Sequence, residues 1–284
     1  MRARVPASSA NLGPGLDTLA LALSLYTEVT VEPAASLSIR SEGTGASFPV
    51  GVDHLAARVV RSVLGHDRVH IEISSDIPAA RGLGSSAALA VAVAAAAGCD
   101  DPLTLAARLE GHPDNAAACV LGGFLTAMSA DGVVHAARLP LDPQLAFVVV
   151  IPERSLNTST ARSALPSHVP LEAALANLAS MGALIAGFAD ASALGPWASI
   201  DRLHQPFRAP LFPESEELLR ALVAEGARMS CWSGAGSTLL AVCDRASAAS
   251  VRSGGEQALL TAGVPGVALV VEPDLVGLVV SSDT

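Results

Sequence analysis

Pro78-Ala-Ala-Arg-Gly-Leu-Gly-Ser-Ser-Ala-Ala88 is the stretch on which the reading of this chain turns. It follows Val69, Ile71 and Ile73, which alternate with His70, Glu72 and Ser74 and so predict a strand. It leads into an Ala-rich apolar run that ends at Gly98 and predicts a buried helix. Gly82 and Gly84 admit positive φ and let backbone approach a ligand closely. The first turn of the helix leaves N–H groups without intrahelical partners, and its dipole favours an anion. Ser85 and Ser86 add hydroxyls, which can donate to phosphate or ligate Mg²⁺. A tight turn with a serine cap is the bland alternative. Strand, loop and helix together favour a phosphate site. The dinucleotide spacing G-x-G-x-x-G fails, because Ala stands where the third Gly would be.

The basic residues narrow the ways of holding that phosphate. All 17 are Arg, and the 284-residue sequence contains no Lys. A Walker A loop and a protein-kinase lobe each need a Lys on the phosphates, so both are excluded. Schiff-base and pyridoxal chemistry fall with them. The net charge of −10 comes without a basic tract, so nucleic-acid binding is not expected.

Composition fits a globular chain, with 51% hydrophobic and 15% charged residues. The apolar run from Ala87 to Gly98 falls short of the ~20 residues of a bilayer-spanning helix, so no membrane association is expected. Two Arg without an apolar segment behind them make a poor secretory signal, and a cytoplasmic location is expected. Cys99, Cys119, Cys231 and Cys243 form no CxxC pair and read as buried thiols.

Outward from the loop, strands are expected at Arg2–Ala7, Thr18–Glu32, Leu37–Arg40, Gly122–Met128, Gly132–Ala136 and Ala146–Ile151. Helices are expected at Asp53–Leu64, Leu103–Leu109 and Ala116–Leu121. Beyond Pro143 the pattern gives helices at Leu171–Phe188, Ser215–Ala224 and Ala246–Ala262. Strands there are Arg228–Ser233, Thr238–Cys243 and Val267–Glu272. The fold class is α+β in two halves, without regular βαβ alternation.

Two further motifs stand in register with the loop: Pro6-Ala-Ser-Ser-Ala-Asn-Leu-Gly-Pro-Gly-Leu-Asp17-Thr18 near the N-terminus and Ser233-Gly-Ala-Gly-Ser-Thr238 towards the C-terminus. In this order and separation the three motifs resemble those of the GHMP kinases, named for galactokinase, homoserine kinase, mevalonate kinase and phosphomevalonate kinase. Glu110-Gly-His-Pro-Asp-Asn115 with Gly122-Gly123, the Thr158…Arg162…Leu165-Pro166 segment and Leu203-His-Gln-Pro-Phe-Arg208 are similar to the homoserine branch. Ser237, Leu16 and Ala118 depart from residues common in the family.

The resemblance implies an N-terminal α+β domain over residues 1–144 carrying ATP and a ferredoxin-like α+β sandwich over 145–284 that closes on substrate. It implies Pro78, Arg81, Gly82, Leu83, Gly84, Ser85, Ser86, Ala87 and Ala88 around the ATP phosphates, with Ser86 and Glu110 holding Mg²⁺. The implied acceptor is the zwitterion L-homoserine, phosphorylated on its hydroxyl. Its carboxylate would take Arg162 and Arg208, since a guanidinium fork binds both oxygens. Its ammonium would take Asp17. Asn11, His112, Asn115, Thr158 and Gly234 complete the implied substrate site. Asn115 is expected to orient the hydroxyl without a dedicated base, with Asp114 as the rival base. Other family acceptors, of mevalonate or sugar type, and a non-catalytic ligand-binding role are the alternatives. Homodimerisation is left open.

Overall fold

The structure is a computed structural model that describes residues 1–44 and 54–282. The N-terminal half runs β1 (Arg2–Asn11), β2 (Gly15–Pro33), β3 (Ser38–Gly43), α1 (Leu55–Leu64), β4 (Val69–Ser75), α2 (Ser85–Ala96), α3 (Pro102–Glu110), α4 (Asp114–Leu121), β5 (Phe124–Ala130) and β6 (Val133–Leu139). Then follow β7 (Leu145–Pro152), α5 (Thr158–Ser163), α6 (Leu171–Ala189), α7 (Gln205–Arg208), α8 (Ser215–Ala224), β8 (Ala227–Trp232), β9 (Leu239–Asp244), α9 (Ala248–Thr261), β10 (Gly266–Val271) and β11 (Val279–Ser281).

The first sheet has the order β11-β1-β2-β4-β3, with β5 on the other half of β2 and β6 beyond it. Only β3–β4 is parallel among its described pairs. β2 is long enough, at 19 residues, to pair with β4 through Thr27–Pro33 and with β5 through Leu19–Leu21. Helix α2 packs against β1, β2, α1, α3 and α4. It is buried nearly all round, as its Ala and Val content demands, because small side chains let five neighbours approach one helix.

The second sheet has the order β10-β7-β9-β8, all antiparallel. With α8 between β7 and β8 and α9 between β9 and β10, the two helices packed side by side on this sheet, this is the βαββαβ arrangement of a ferredoxin-like sandwich. The alternation along β7 divides two cores. Phe147, Val149 and Ile151 join the main core, while Ala146, Val148 and Val150 pack with Leu222 and Val251. Phe188 of α6 meets Phe124 of β5 at a tilt, 4.7 Å between ring centroids, and Phe147 of β7 edge-on at 5.9 Å, so the main core runs through both halves.

Most expected elements are present, with shifted ends. Asp53, taken as the start of the first helix, lies outside the described residues. The first strand continues past Ala7 to Asn11, since Ser8, Ser9 and Asn11 are buried and face structure rather than water. Helices α5 and α7 and strand β11 were not expected. Helix α6 is long and apolar enough to cross a bilayer by length and composition alone. Its inward face carries buried Asn177, which donates to the Pro14 carbonyl at 3.2 Å and to Asp201 at 3.0 Å, so that face is committed to the fold.

Candidate active site

The glycine-rich loop sits between strand β4 and helix α2, and its main chain is pinned from outside. The Leu83 carbonyl accepts from Ser8 N at 3.1 Å, the Arg81 carbonyl from Thr238 N at 2.9 Å and the Ala80 carbonyl from Leu156 N at 3.0 Å. The Gly82 carbonyl accepts from Ser233 Oγ at 2.7 Å. Four carbonyls that would repel an anion are thus engaged elsewhere. The helix begins after Gly84, at φ 68°, with no side chain capping it. Its first-turn N–H groups are therefore left for a ligand.

Both glycines are required sterically. A Cβ on Gly82 would stand 2.2 Å from the Ser233 carbonyl oxygen, and one on Gly84 would stand 2.1 Å from Ser8 Oγ. The Ser85 hydroxyl is buried without a partner. Such a group is costly unless something completes its hydrogen bonding.

A cleft opens in front of the loop. Of the residues singled out in the sequence, Asn11, Asp17, Arg81, Gly82, Gly84, Ser85, Ser86, Glu110, His112, Asp114, Asn115, Thr158, Arg162, Arg208 and Gly234 line it. Pro78, Leu83, Ala87 and Ala88 do not. Leu83, Ala87 and Ala88 are buried in the packing behind the loop. The Ala87 amide still belongs to the first turn of α2. Ala80, Leu156 and Ala235 are cleft residues the sequence reading missed. Their signal was only adjacency to the motifs.

Ser86 Oγ donates to Glu110 Oε1 at 2.6 Å, which brings two oxygen ligands to the edge of the loop. A hard cation such as Mg²⁺ favours oxygen donors and keeps most of its water, so this pair fits it. No group of three or more His, Cys, Asp and Glu is gathered for a metal among the described residues.

At the opposite wall, Arg162 of α5 grips Asp17 through both guanidinium nitrogens, at 2.5 and 2.8 Å. Burial alone would raise the Asp17 carboxyl; the Arg162 guanidinium outweighs it and holds the group below the usual carboxylate range. Asn11, Leu12 and Asp17 all have positive φ, at 70°, 50° and 54°. Backbone held in this region by non-glycine residues concentrates at working sites. Asn11 Nδ2 donates to the Gly234 carbonyl at 2.7 Å, joining the first motif to the third. Arg208, only 2% exposed, donates to the same carbonyl at 3.1 Å and to Ala161 O at 3.3 Å. Burial and the nearby Arg162 pull its pKa below that of a free guanidinium.

Between these walls lies the turn into α4. His112 Nδ1 donates to Asp114 Oδ1 at 3.0 Å, and this bond, opposed in part by burial, raises the imidazole pKa. The same oxygen accepts from Asn115 N at 2.7 Å. Asn115 Oδ1 accepts from Ser8 Oγ at 2.8 Å. Arg81 turns its guanidinium to main-chain carbonyls, Ala79 O at 3.2 Å and Glu153 O.

The cleft is therefore assembled from three separated motifs, with a helix N-terminus at one end and opposed charges at the other. Residues 52–123 match the family model for the GHMP kinase N-terminal domain, and residues 173–258 match that for the GHMP kinase C-terminal region. The chain belongs to the GHMP kinase family, and it is an ATP-dependent kinase that phosphorylates an alcohol.

Among curated relatives, the homoserine kinase of Moorella thermoacetica is 41% identical over 257 residues, covering 84% of this chain and 86% of that one. The homoserine kinase of Streptomyces avermitilis is 42% identical over 269 residues, covering 88% of each. The crystal structure of homoserine kinase from Cytophaga hutchinsonii superposes with a TM-score of 0.85 at 24% identity, over 98% of this chain and 96% of that one. The L. major mevalonate kinase shares the fold with a TM-score of 0.70 at 16% identity, over 96% of each chain. The fold alone thus does not choose the acceptor, and the side chains of the cleft must.

Proposed function

We propose that this chain transfers the γ-phosphoryl group of ATP to the side-chain hydroxyl of L-homoserine, giving O-phospho-L-homoserine and ADP, in the cytoplasm. One observation carries the choice of acceptor. Asp17, Arg162 and Arg208 set one negative and two positive groups together at the wall facing the phosphate loop. An α-amino acid presents the complement, its ammonium to Asp17 and its carboxylate to the two guanidinium groups. Mevalonate offers no ammonium, and a neutral sugar offers neither charge.

The triphosphate lies against the first-turn amides of α2 and the hydroxyls of Ser85 and Ser86. Ser86 and Glu110 would hold Mg²⁺, which supplies charge neutralisation on the phosphates. Phosphoryl transfer then needs alignment more than covalent help. Asn115, fixed by Ser8, orients the acceptor hydroxyl. Its oxygen bonds to the γ-phosphorus as the bond to the β-phosphate bridging oxygen breaks. The hydroxyl proton passes to the transferred phosphoryl group. Asp114, engaged with His112 and the Asn115 amide, acts by orienting them. A pH–rate profile of Asp114→Asn separates the roles. Loss of the acid limb with a fall of about 10²-fold or more in kcat would make Asp114 the base instead.

The deciding experiment is coupled ADP release from purified protein offered L-homoserine, L-serine, mevalonate and galactose. Turnover is expected with homoserine above all others. Asp17→Asn should raise KM for homoserine by roughly 10- to 100-fold and leave KM for ATP nearly unchanged, as loss of a charge-assisted bond implies. Preferred turnover of mevalonate or galactose sinks the assignment.

A further inference from the structure

Behind Arg208 lies a buried polar array that neither the motifs nor the sequence reading accounts for. His204 is fully buried. Its Nε2 lies 2.7 Å from the Gly13 carbonyl oxygen, in the turn that links Asn11 to Asp17. Its Nδ1 lies 3.1 Å from Arg208 NH1. A guanidinium can only donate and a carbonyl can only accept. The ring must therefore carry its proton on Nε2 and keep the Nδ1 lone pair for Arg208. A second proton would place a cation against a guanidinium in a dry site. Burial accordingly pushes the imidazole pKa down to about 4.

The ring is itself held. Asp201 accepts from the backbone N of Leu203 at 2.8 Å, from His204 N at 3.2 Å and from Gln205 N at 2.7 Å. Its Oδ2 lies 3.3 Å from His204 Nε2. Asn177 ties Asp201 to α6 and donates to the Pro14 carbonyl as well. Two successive carbonyls of the first motif, Gly13 and Pro14, are thus gripped by the half that carries Arg208.

We infer that His204 is a positioning residue for the acceptor: its neutral ring joins the turn bearing Asn11 and Asp17 to Arg208, fixing the guanidinium at the cleft. Arg208 then meets Gly234 O, Ala161 O and His204 at set angles, and the ammonium and carboxylate subsites keep a constant separation. The claim deepens the amino-acid reading of the cleft and rests on it.

The test is a double-mutant cycle on the intact chain. His204→Ala should raise KM for homoserine roughly tenfold to a hundredfold, while KM for ATP moves less than about threefold. Added to Arg208→Ala it should cost nothing further, because the ring acts through that guanidinium. If the Ala variant does not fold, His204→Gln is read through the same cycle. Fully multiplicative losses, or parallel rises in both KM values, overturn the inference.

A second readout does not depend on the acceptor. Nitrogen-15 NMR of the labelled wild type, with the resonance assigned by its loss in the variant, should show one histidine protonated only on Nε2 from pH 6 to 9. A proton on Nδ1, or a charged ring at pH 6, overturns the inference even if homoserine turnover is confirmed. The expected tautomer in a protein that ignores homoserine would instead fault the substrate reading alone.

Discussion

The two ends of the cleft hold charge by different means. At the loop end the groups on offer are main-chain amides and serine hydroxyls, and the surrounding carbonyls of Ala80, Arg81, Gly82 and Leu83 are tied off by donors from other parts of the chain. At the acceptor end, the charge sits on side chains, with Arg162 gripping an Asp17 that lies 145 positions earlier. A backbone site is set by the path of the chain and cannot be deleted by trimming a side chain. It can be ruined by adding one. The acceptor end is the reverse. Single truncations remove single contacts there, and the backbone around them persists.

That contrast is open to attack in order of expected effect. Gly82→Ala should do the most damage. Its methyl would meet the Ser233 carbonyl at 2.2 Å and its φ of 78° is one that L side chains rarely adopt, so the loop must move. A displacement of about 1 Å at an aligning element costs on the order of 10²-fold, so kcat/KM for ATP should fall at least that far. Near-normal ATP kinetics in a folded Gly82→Ala protein would break the distinction between the ends.

Glu110→Gln should come next. It keeps the shape and the bond from Ser86 but removes the charge, and the Mg²⁺ concentration needed for half-maximal rate should rise roughly 10- to 100-fold. An unchanged Mg²⁺ titration would remove Glu110 from the metal site.

The smallest effect concerns stability. The Asp17 carboxyl is held below its ordinary value of 3.8, so the folded state binds a proton there less readily than the unfolded chain. The contribution is present above that value and is lost as pH falls through the depressed one. Both side chains are more than a third exposed, at 36% and 42%, so screening keeps it within about 1 kcal/mol. Urea denaturation of wild type and Asp17→Asn should therefore differ by no more than this at pH 7 and converge as the pH falls below 3.8. A much larger gap at neutral pH would mean that the acceptor end is part of the fold's own support.

Much of this was readable in the residues themselves. The period-two pattern of Val69, Ile71 and Ile73 and the glycines before an alanine helix needed no partner to interpret. The absence of Lys excluded whole classes of phosphate site. Other parts were hidden because their causes are distant in sequence. Ser8 and Asn11 look like turn residues, yet they complete strand β1 because Asn115 and Gly234 supply their hydrogen bonds from far along the chain. Helix α5 is too short to show a period, and β11 has only three residues and pairs with the first strand. His204 and Arg208 show only a spacing of four, whereas the meaning of that spacing lies in the Gly13 carbonyl, 191 positions away.

The clasp between Asp17 and Arg162 has a further consequence. These two groups already imitate an amino acid's own ends, each serving as the other's counterion. A zwitterionic acceptor of the kind proposed would replace that contact with two new ones and leave the local charge count as it was. On the proposed reading, recognition at this wall would be an electroneutral exchange of partners, decided by whether a guest can return both charges it displaces.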